Sequence, residues 1–444
     1  MKIHTYNEAL NFLYKRSAID PKKKFPGELG IRRTSKFLEL LGNPQDKLKV
    51  IHVAGTSGKG STAYLTSKIL HSLGIKVGLH LSPHLLDIRE RMQLNHKLIS
   101  KKEFVELLNS LLPTIFMIDK TPLGKPTYFE ILTVMSFVLF KNHNIDYAVI
   151  ETGMGGWYDA TNRVTRKDKI CVITRIGLDH TQVLGKTIPK IAYQKAMIIK
   201  AENTVITINQ DKQVGDVINK MVQKRSAVLI EIEKGRNYKN ILVDSKGAFF
   251  DYSFDSFNLS NLRLGIVGSF QAENCSLALS VVFYLSKRDR FKLRKETIRQ
   301  VLAKANFRGR FDIFKINGKR IIVDGAHNPQ KMKAFTENLR EIYKDQKFSF
   351  IVAFKKGKEY KKMLAYILLF AERVYLTSFS HKKTRLTSIN PRELATYAEP
   401  QDKKRYIIAD NIYTAWQKAF QKKEDIVITG SLYLVSSAYS RLKN

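Results

Sequence analysis

Cysteine is nearly missing from this chain. Its 444 residues hold two, Cys171 and Cys275, far apart and in no Cys-x-x-Cys pair. That excludes a disulfide framework or a cysteine-bound zinc and suits a reducing compartment. Long apolar runs are missing too. The strongest, Ile131 to Phe140, is interrupted by Thr133 and Ser136. It falls far short of the ~20 residues that cross a bilayer, so it reads as a buried core helix. Charged and polar residues break the stretch Met1 to Leu10 at once, so it is not read as a secretory signal. Gly 24 and Pro 11 are too few for a fibrous or low-complexity chain. Acid is scarce: 40 Asp+Glu face 76 Lys+Arg, a formal charge of +36. That imbalance first suggests a nucleic-acid or anionic-surface partner. The expectation from the remaining absences is a soluble, cytoplasmic protein with no membrane partner.

What is present argues for a folded α/β chain. A hydrophobic fraction of 44% with 10% aromatics builds real cores, and the length suggests two or three domains. Strand and helix signals alternate: Lys49 to Ala54, then Ser61 to Leu73 with helical spacing, Val77 to Leu81, a helix over Phe129 to Phe140, then strands at Tyr147 to Ile150 and Ile170 to Thr174. Buried strands separated by helices predict a mostly parallel sheet covered on both faces. Residues 240 to 267 alternate instead and predict antiparallel strands attached to this first domain. A helix over Phe270 to Leu285 follows, then a hinge at Asn306 to Arg310. After it the alternation restarts at Ile321, Phe348, Arg373, Tyr406 and Ile426. The domains are therefore read as 1–304 and 305–444. No fixed repeat stands out.

Chemistry gathers where strands end. Gly55-Thr56-Ser57-Gly58-Lys59-Gly60-Ser61 lies between a strand and a helix. Small residues let backbone N–H groups close on phosphate, the helix N-terminus adds positive potential, Lys59 can reach the β/γ-phosphates, and the Ser61 hydroxyl can face a metal. Gly60 separates Lys59 from Ser61, so the P-loop pattern is imperfect, and a plain tight turn also fits. Glu151 ends a buried strand and offers a carboxylate to Mg²⁺. Ser82-Pro83-His84 and Asp179-His180 follow other strands, and His180 taken alone reads more as a structural histidine. Lys195 sits in a helical stretch, Ile191 to Lys200, and alone reads as a surface lysine. Asp324 to Pro329 opens another strand-to-helix turn, where Asp and His can grip a ribose or simply cap the helix.

In order along the chain stand Gly30-Ile31-Arg32-Arg33 with Leu41-Gly42-Asn43-Pro44, His52 to Ser61, Ser82 to Leu85, and Thr127-Tyr128-Phe129-Glu130. Next come Glu151 to Gly156, Asp159-Ala160-Thr161-Asn162, Asp179-His180, Gln271 with Asn274, Gly309-Arg310-Phe311, Asp324 to Pro329 and Gly430 to Leu434. As an ordered set they resemble the folylpolyglutamate synthase / dihydrofolate synthase family, a branch of the Mur-ligase-like ATP-dependent amide ligases, over nearly the whole chain. The resemblance implies a P-loop ATP-binding central domain and a smaller Rossmann-like α/β C-terminal domain. It implies that ATP phosphorylates an acceptor carboxylate, folate or dihydropteroate, and that L-glutamate attacks the acyl phosphate.

Carried over by motif, Gly55 to Ser61 hold the ATP phosphates, and Asn274, Arg310 and Asp324 contact the nucleotide. Ser82, Glu151 and His180 hold Mg²⁺. Lys195 matches a lysine that becomes carbamylated and so serves a second Mg²⁺. Lys59, His180, Lys195 and His327 are the catalytic set. Thr127, Phe129, Glu130, Tyr158, Asp159 and Ala160 line the pterin side, with Ile19-Asp20 as a further candidate. Departures from the family pattern are Ser57 for Asn, Trp157 for Arg, Met197 for Gly, Phe270 for His or Tyr, and Arg308 for Pro. Trp157 keeps open a related amide ligase acting on a different carboxylate. The lysine and arginine pairs are scattered and no nucleic-acid recognition motif is present. The expected partners are therefore ATP, glutamate and a small acceptor, with no nucleic acid, acting on a monomer. The surplus charge then predicts capture of anionic substrates.

Overall fold

The structure, a computed structural model, describes residues 2–16, 27–381 and 386–442, so Ile19-Asp20 lies outside the described residues. Two units form. One holds Met1–Asn240, Phe250–Leu262 and Ala272–Lys304; the other holds Ile241–Phe249, Arg263–Gln271 and Ala305–Asn444.

The first unit is built on β1 (Val50–Ala54), β2 (Val77–His80), β3 (Gln93–Leu94), β4 (Lys97–Leu98), β5 (Tyr147–Glu151), β6 (Ile170–Ile173), β7 (Thr204–Ile208) and β8 (Val228–Ile232). Their order is β4-β3-β2-β5-β1-β6-β7-β8. From β2 to β8 every pairing is parallel, and the short β3–β4 hairpin adds antiparallel to β2. β1, β2, β5, β6 and β7 are buried along their whole length, as suits a parallel sheet covered on both faces. β7, β8 and the hairpin were not anticipated; the polar threonines of Thr-Val-Ile-Thr-Ile in β7 hide a strand that is wholly buried.

Register settles which side chains share a face. His52 pairs with Ile150, and Ile150 with His80, so both histidines stand level on one side of the sheet. On that side Val50, Ala148 and Ile150 join a core with helices Tyr6–Lys15, Lys101–Asp119 and Tyr128–Asn142. Ala54, Cys171, Ile173 and Val205 join a second core with helices Ile188–Ala196 and Lys212–Lys224. Both cysteines are buried and outside any disulfide. The helix around Lys195 stops at Ala196, shorter than expected, and Lys200 lies beyond it.

Thr127 and Glu130 start the helix Tyr128–Asn142. The Thr127 hydroxyl accepts from Glu130 N, and Glu130 reaches back to Thr127 N at 2.9 Å, a capping box. Arg33 forks onto the same carboxylate at 2.7 and 2.8 Å, with both residues at or below 5% exposure.

Between these elements β9 (Tyr238–Asp244), β10 (Gly247–Phe254) and β11 (Phe257–Leu264) form a three-stranded sheet with two-residue connections. Such tight turns join antiparallel neighbours. The expectation had placed this segment wholly with the first domain; residues 241–249 and 263–271 group with the second unit instead. That unit carries β12 (Asp312–Ile316), β13 (Lys319–Val323), β14 (Phe348–Val352), β15 (Ala371–Leu376), a small β16–β17 pair (Ser380–His381 and Leu386–Thr387), β18 (Tyr406–Ile408) and β19 (Asp425–Thr429). Its six-stranded sheet runs β12-β13-β19-β14-β15-β18, parallel except for the β12 edge. Both units are therefore α/β. No described helix is long and apolar enough to cross a membrane.

Removing the charge of Glu130 strands the Arg33 guanidinium in a dry site. Glu130→Gln is expected to lower unfolding stability by about 3 kcal/mol, read as a lower urea midpoint. An unchanged midpoint would refute a structural role for this pair.

Candidate active site

β2, β5, β1 and β6 are parallel neighbours, so their carboxyl ends lie along one edge. Each end leads into a loop singled out by the sequence: Ser82 after β2, Glu151 to Gly156 on β5, Gly55 to Ser61 after β1, and Gly177 to His180 after β6. Ligands bind at such edges in open α/β sheets.

The phosphate loop is tightly braced. The N–H groups of Thr56 and Ser57 donate to the Arg175 carbonyl at 2.9 and 3.1 Å. The Thr174 hydroxyl donates to Ser57 O at 2.7 Å, and the Thr56 hydroxyl exchanges bonds with the Gly177 backbone at 3.0 and 3.1 Å. Gly58 sits at φ +89°, and a Cβ there would lie 2.1 Å from Asn274 Oδ1. A side chain at this position would be strained and would push on Asn274, which is placed directly against the loop. The amides of Thr56 and Ser57 thus hold the loop, while those of Lys59, Gly60 and Ser61 open the helix Lys59–Ser72. First-turn amides have no intrahelical partner and lie at the positive end of the helix dipole, an anion site by geometry.

Two lysines share one acceptor. Lys195 Nζ donates to Gly55 O at 2.7 Å and Lys59 Nζ to the same oxygen at 3.2 Å. Lys195 is 4% exposed, on the buried face of its helix with Ile191 and Ala192. It is no surface lysine.

Glu151 is buried, and its carboxylate accepts from Ser82 N at 2.9 Å. Arg91 donates to the Ser82 hydroxyl at 3.3 Å and to His84 Nδ1 at 2.9 Å. Ser82 and Glu151 thus supply oxygen donors from adjoining strand ends, which suits a hard cation. Among the described residues no group of three or more His, Cys, Asp or Glu gathers around a metal-sized space. His180 is 45% exposed along its side chain and 3.9 Å from Asp179, at the rim of this edge.

Asp159 organises the loop that follows β5. Its carboxylate takes Met154 N at 2.7 Å, Thr161 N at 3.0 Å and the Thr161 hydroxyl at 2.5 Å. Because that hydroxyl donates to Asp159, His52 Nε2 donates to it, at 2.8 Å. Burial keeps His52 neutral and pushes the Asp159 carboxyl upward against its hydrogen bonds. Phe129 lies against Gly153, with its ring 6.2 Å from that of His80. Burial lowers the His80 pKa to about 3. Ala160 is buried, and Tyr158 stacks on Trp157. Thr127 and Glu130 are occupied as the cap and the Arg33 partner described above. His52, Arg91, Thr161, Thr174, Gly177 and the Arg175 carbonyl contribute here without having been singled out as site residues.

In the second unit, Asp324 follows β13 and is buried. It accepts from Phe311 N at 2.9 Å and Ala326 N at 2.7 Å. Phe311 holds φ +55°, a strained position for a bulky residue that costs ~1 kcal/mol or more. Arg310 donates to Gly309 O at 2.9 Å. His327 Nδ1 faces Gly325 O at 2.7 Å and Nε2 faces Lys331 Nζ at 3.2 Å. A carbonyl only accepts and an ammonium only donates, so Nδ1 donates to Gly325 O and Nε2 accepts from Lys331.

Comparison with known proteins agrees with this geometry. The model of the Mur ligase middle domain matches residues 53–282, and that of the dihydrofolate synthetase C-terminal domain matches 310–441. The dihydrofolate synthase/folylpolyglutamate synthase of Bacillus subtilis is 30% identical over 96% of this chain and 98% of its own length. The chain belongs to the folylpolyglutamate synthase / dihydrofolate synthase family. Within that family, Mycobacterium tuberculosis folylpolyglutamate synthase, solved in complex with ADP, superposes with a TM-score of 0.87 at 26% identity, covering 99% of this chain and 98% of that one. Escherichia coli FolC, solved with DHPP and ADP, superposes at 0.82 with 25% identity, covering 99% and 98%. The family resemblance read from the ordered motifs is borne out, as is the α/β fold.

Gly58→Ala is expected to lower stability by ~1 kcal/mol or more, from positive φ and the Asn274 clash, and to abolish nucleotide binding by calorimetry. Wild-type affinity in this variant would refute the loop assignment. A second expectation concerns pH. Burial raises the Asp324 carboxyl to about 6, with Arg310 opposing. The folded state then binds more protons than the unfolded state between about pH 4 and 6. Its contribution to stability is greatest below that window, falls as pH rises through it, and is flat above. Asp324→Asn is expected to flatten this fall in a series of urea midpoints against pH; an unaltered slope would contradict it.

Proposed function

We propose that this chain uses ATP to join the amino group of L-glutamate to the carboxylate of a folate-type acceptor: dihydropteroate, a tetrahydrofolate, or both. The observation that carries this is the convergence on one sheet edge of a helix N-terminus, the buried Glu151 and the buried Lys195. The neighbours solved with ADP and with DHPP support it. Residues 1–304 are assigned as the ATP-binding central domain and 305–444 as the C-terminal ligase domain, working as a cytoplasmic monomer.

In this reading the first-turn amides of Lys59, Gly60 and Ser61, with the Lys59 ammonium, hold the phosphates of ATP and spread the charge of the transferring group. An acceptor carboxylate oxygen attacks the γ-phosphorus, the bond to the β–γ bridging oxygen breaks, and ADP leaves. The glutamate amine, having lost a proton, attacks the acyl carbon, and inorganic phosphate departs as the amide forms. Ser82 and Glu151, with His180, would hold Mg²⁺, which would supply neutralisation of phosphate charge; Lys195, if carbamylated, would offer an anion to a second such ion. Asn274, Arg310 and Asp324 are assigned to the nucleotide, and Thr127, Phe129, Glu130, Tyr158, Asp159 and Ala160 to the acceptor side. His327 is assigned to the amine end of the reaction.

Phosphate release is expected to require ATP, L-glutamate and a reduced folate or dihydropteroate together. No release with either acceptor, while ATP still binds, would overturn the reading. All these substrates are anions, and the chain carries +36. Their KM values should rise with ionic strength as screening weakens capture; flat KM values would make the charge a bystander.

A further inference from the structure

We infer that Lys169, seconded by Lys200, is a positioning residue: from inside the core it holds the end of the helix Ile188–Ala196 and so sets Lys195 against the phosphate loop. Its bearing on turnover rests on the ligase reading above. Lys169 is wholly buried. Its Nζ donates to Val164 O at 2.9 Å and to Ile198 O at 2.7 Å. Among the described residues no carboxylate pairs with it, and burial lowers its pKa. A lysine in a dry site without a carboxylate is costly, and an apolar side chain of similar volume would avoid that cost. What Lys169 supplies there is a pair of hydrogen bonds to two separate segments.

Those bonds act where the helix is weakest. Lys195 lies in the last turn of a helix of 9 residues, and a short helix frays at an end whose carbonyls have no partner. The turn continues past the helix, with Ile198 N donating to Lys195 O at 3.3 Å. Its next two carbonyls are taken. Met197 O accepts from Asn162 Nδ2 and from Lys200 Nζ, both at 3.2 Å. Ile198 O accepts from Lys169 and, at 3.5 Å, from Cys171 Sγ. Lys169 immediately precedes β6, so it ties this turn to the start of that strand. The exit of β6 holds the other party. Thr174 N donates to Ala54 O at 2.8 Å, and the Arg175 carbonyl takes the amides of Thr56 and Ser57. One strand thus fixes both Lys195 and its acceptor, the Gly55 carbonyl. Loss of the Lys169 bonds frees the helix end while the loop stays braced, and Lys195 is then no longer held at Gly55 O.

Lys169→Met keeps most of the side-chain volume and removes the donors. Phosphate release with ATP, L-glutamate and dihydropteroate or tetrahydrofolate is measured for wild type and variant, with ADP binding followed by calorimetry. In the variant kcat is expected to fall about tenfold or more, as small misplacements near a reacting centre do, while the KM for ATP stays within about twofold. ADP is expected to bind at full stoichiometry, which shows the variant folded. A kcat that is unchanged, or that falls only in step with the fraction binding ADP, overturns the proposal. Urea midpoints test the placement without turnover. Independent sites add; Lys169→Met and Lys195→Ala together are expected to shift the midpoint by less than the sum of their single shifts, because the first already loosens the bond from Lys195 to Gly55 O. Additive shifts overturn the proposal. Should Lys169→Met fail to fold, Lys200→Met removes the half-buried donor on Met197 O and is expected to show the same split of kcat against KM at a smaller loss; no split overturns the proposal. If the wild type binds ADP yet releases phosphate with neither acceptor, the ligase reading fails, and the midpoints alone decide the placement.

Discussion

The carbonyl oxygen of Gly55 receives two ammonium groups, one from the helix that the phosphate loop opens and one from the helix Ile188–Ala196. Much of the first unit's site depends on this shared acceptor. It ties the end of β1 to Lys195 and fixes where that lysine can stand. Burying an ammonium is costly unless its protons are matched, so the loop and the helix must keep their relative position. On the other flank the Arg175 carbonyl and Thr174 hydroxyl hold the loop against the exit of β6. The first-turn amides are thereby presented without rearrangement, the preorganisation that phosphoryl transfer needs.

The same edge has a second, neutral layer. His52, Thr161 and Asp159 form a buried chain of hydrogen bonds running from the strand that feeds the phosphate loop to the loop after β5. Asp159 is surrounded by donors from its own loop, so it acts first as the organiser of that loop. Glu130 is likewise held by Arg33 and the Thr127 amide. These residues act through the backbone they fix.

Most of the strand-and-helix order could be read from the sequence, because buried parallel strands such as Val50–Ala54 and Phe348–Val352 are nearly uniform apolar runs. The site segments could be read because glycine-rich turns and polar residues interrupt those runs at strand ends. What could not be read depended on distant contacts. Lys195 looked like a surface residue because its partner, the Gly55 carbonyl, is 140 positions away. The backbone brace at Arg175 leaves no side-chain signature. β8 escaped because its residues are largely half-buried or exposed, and the division of the three-stranded sheet between the units has no local sign.

The central claim is that ATP activates the acceptor through an acyl phosphate before glutamate attacks. The most direct measurement is oxygen transfer. An acceptor carrying ¹⁸O in its terminal carboxylate is turned over with ATP and L-glutamate, and the released phosphate is analysed by mass. The account predicts that a labelled oxygen moves from the carboxylate into the phosphate, in step with amide formation. Unlabelled phosphate, released at the same rate as amide, would contradict it.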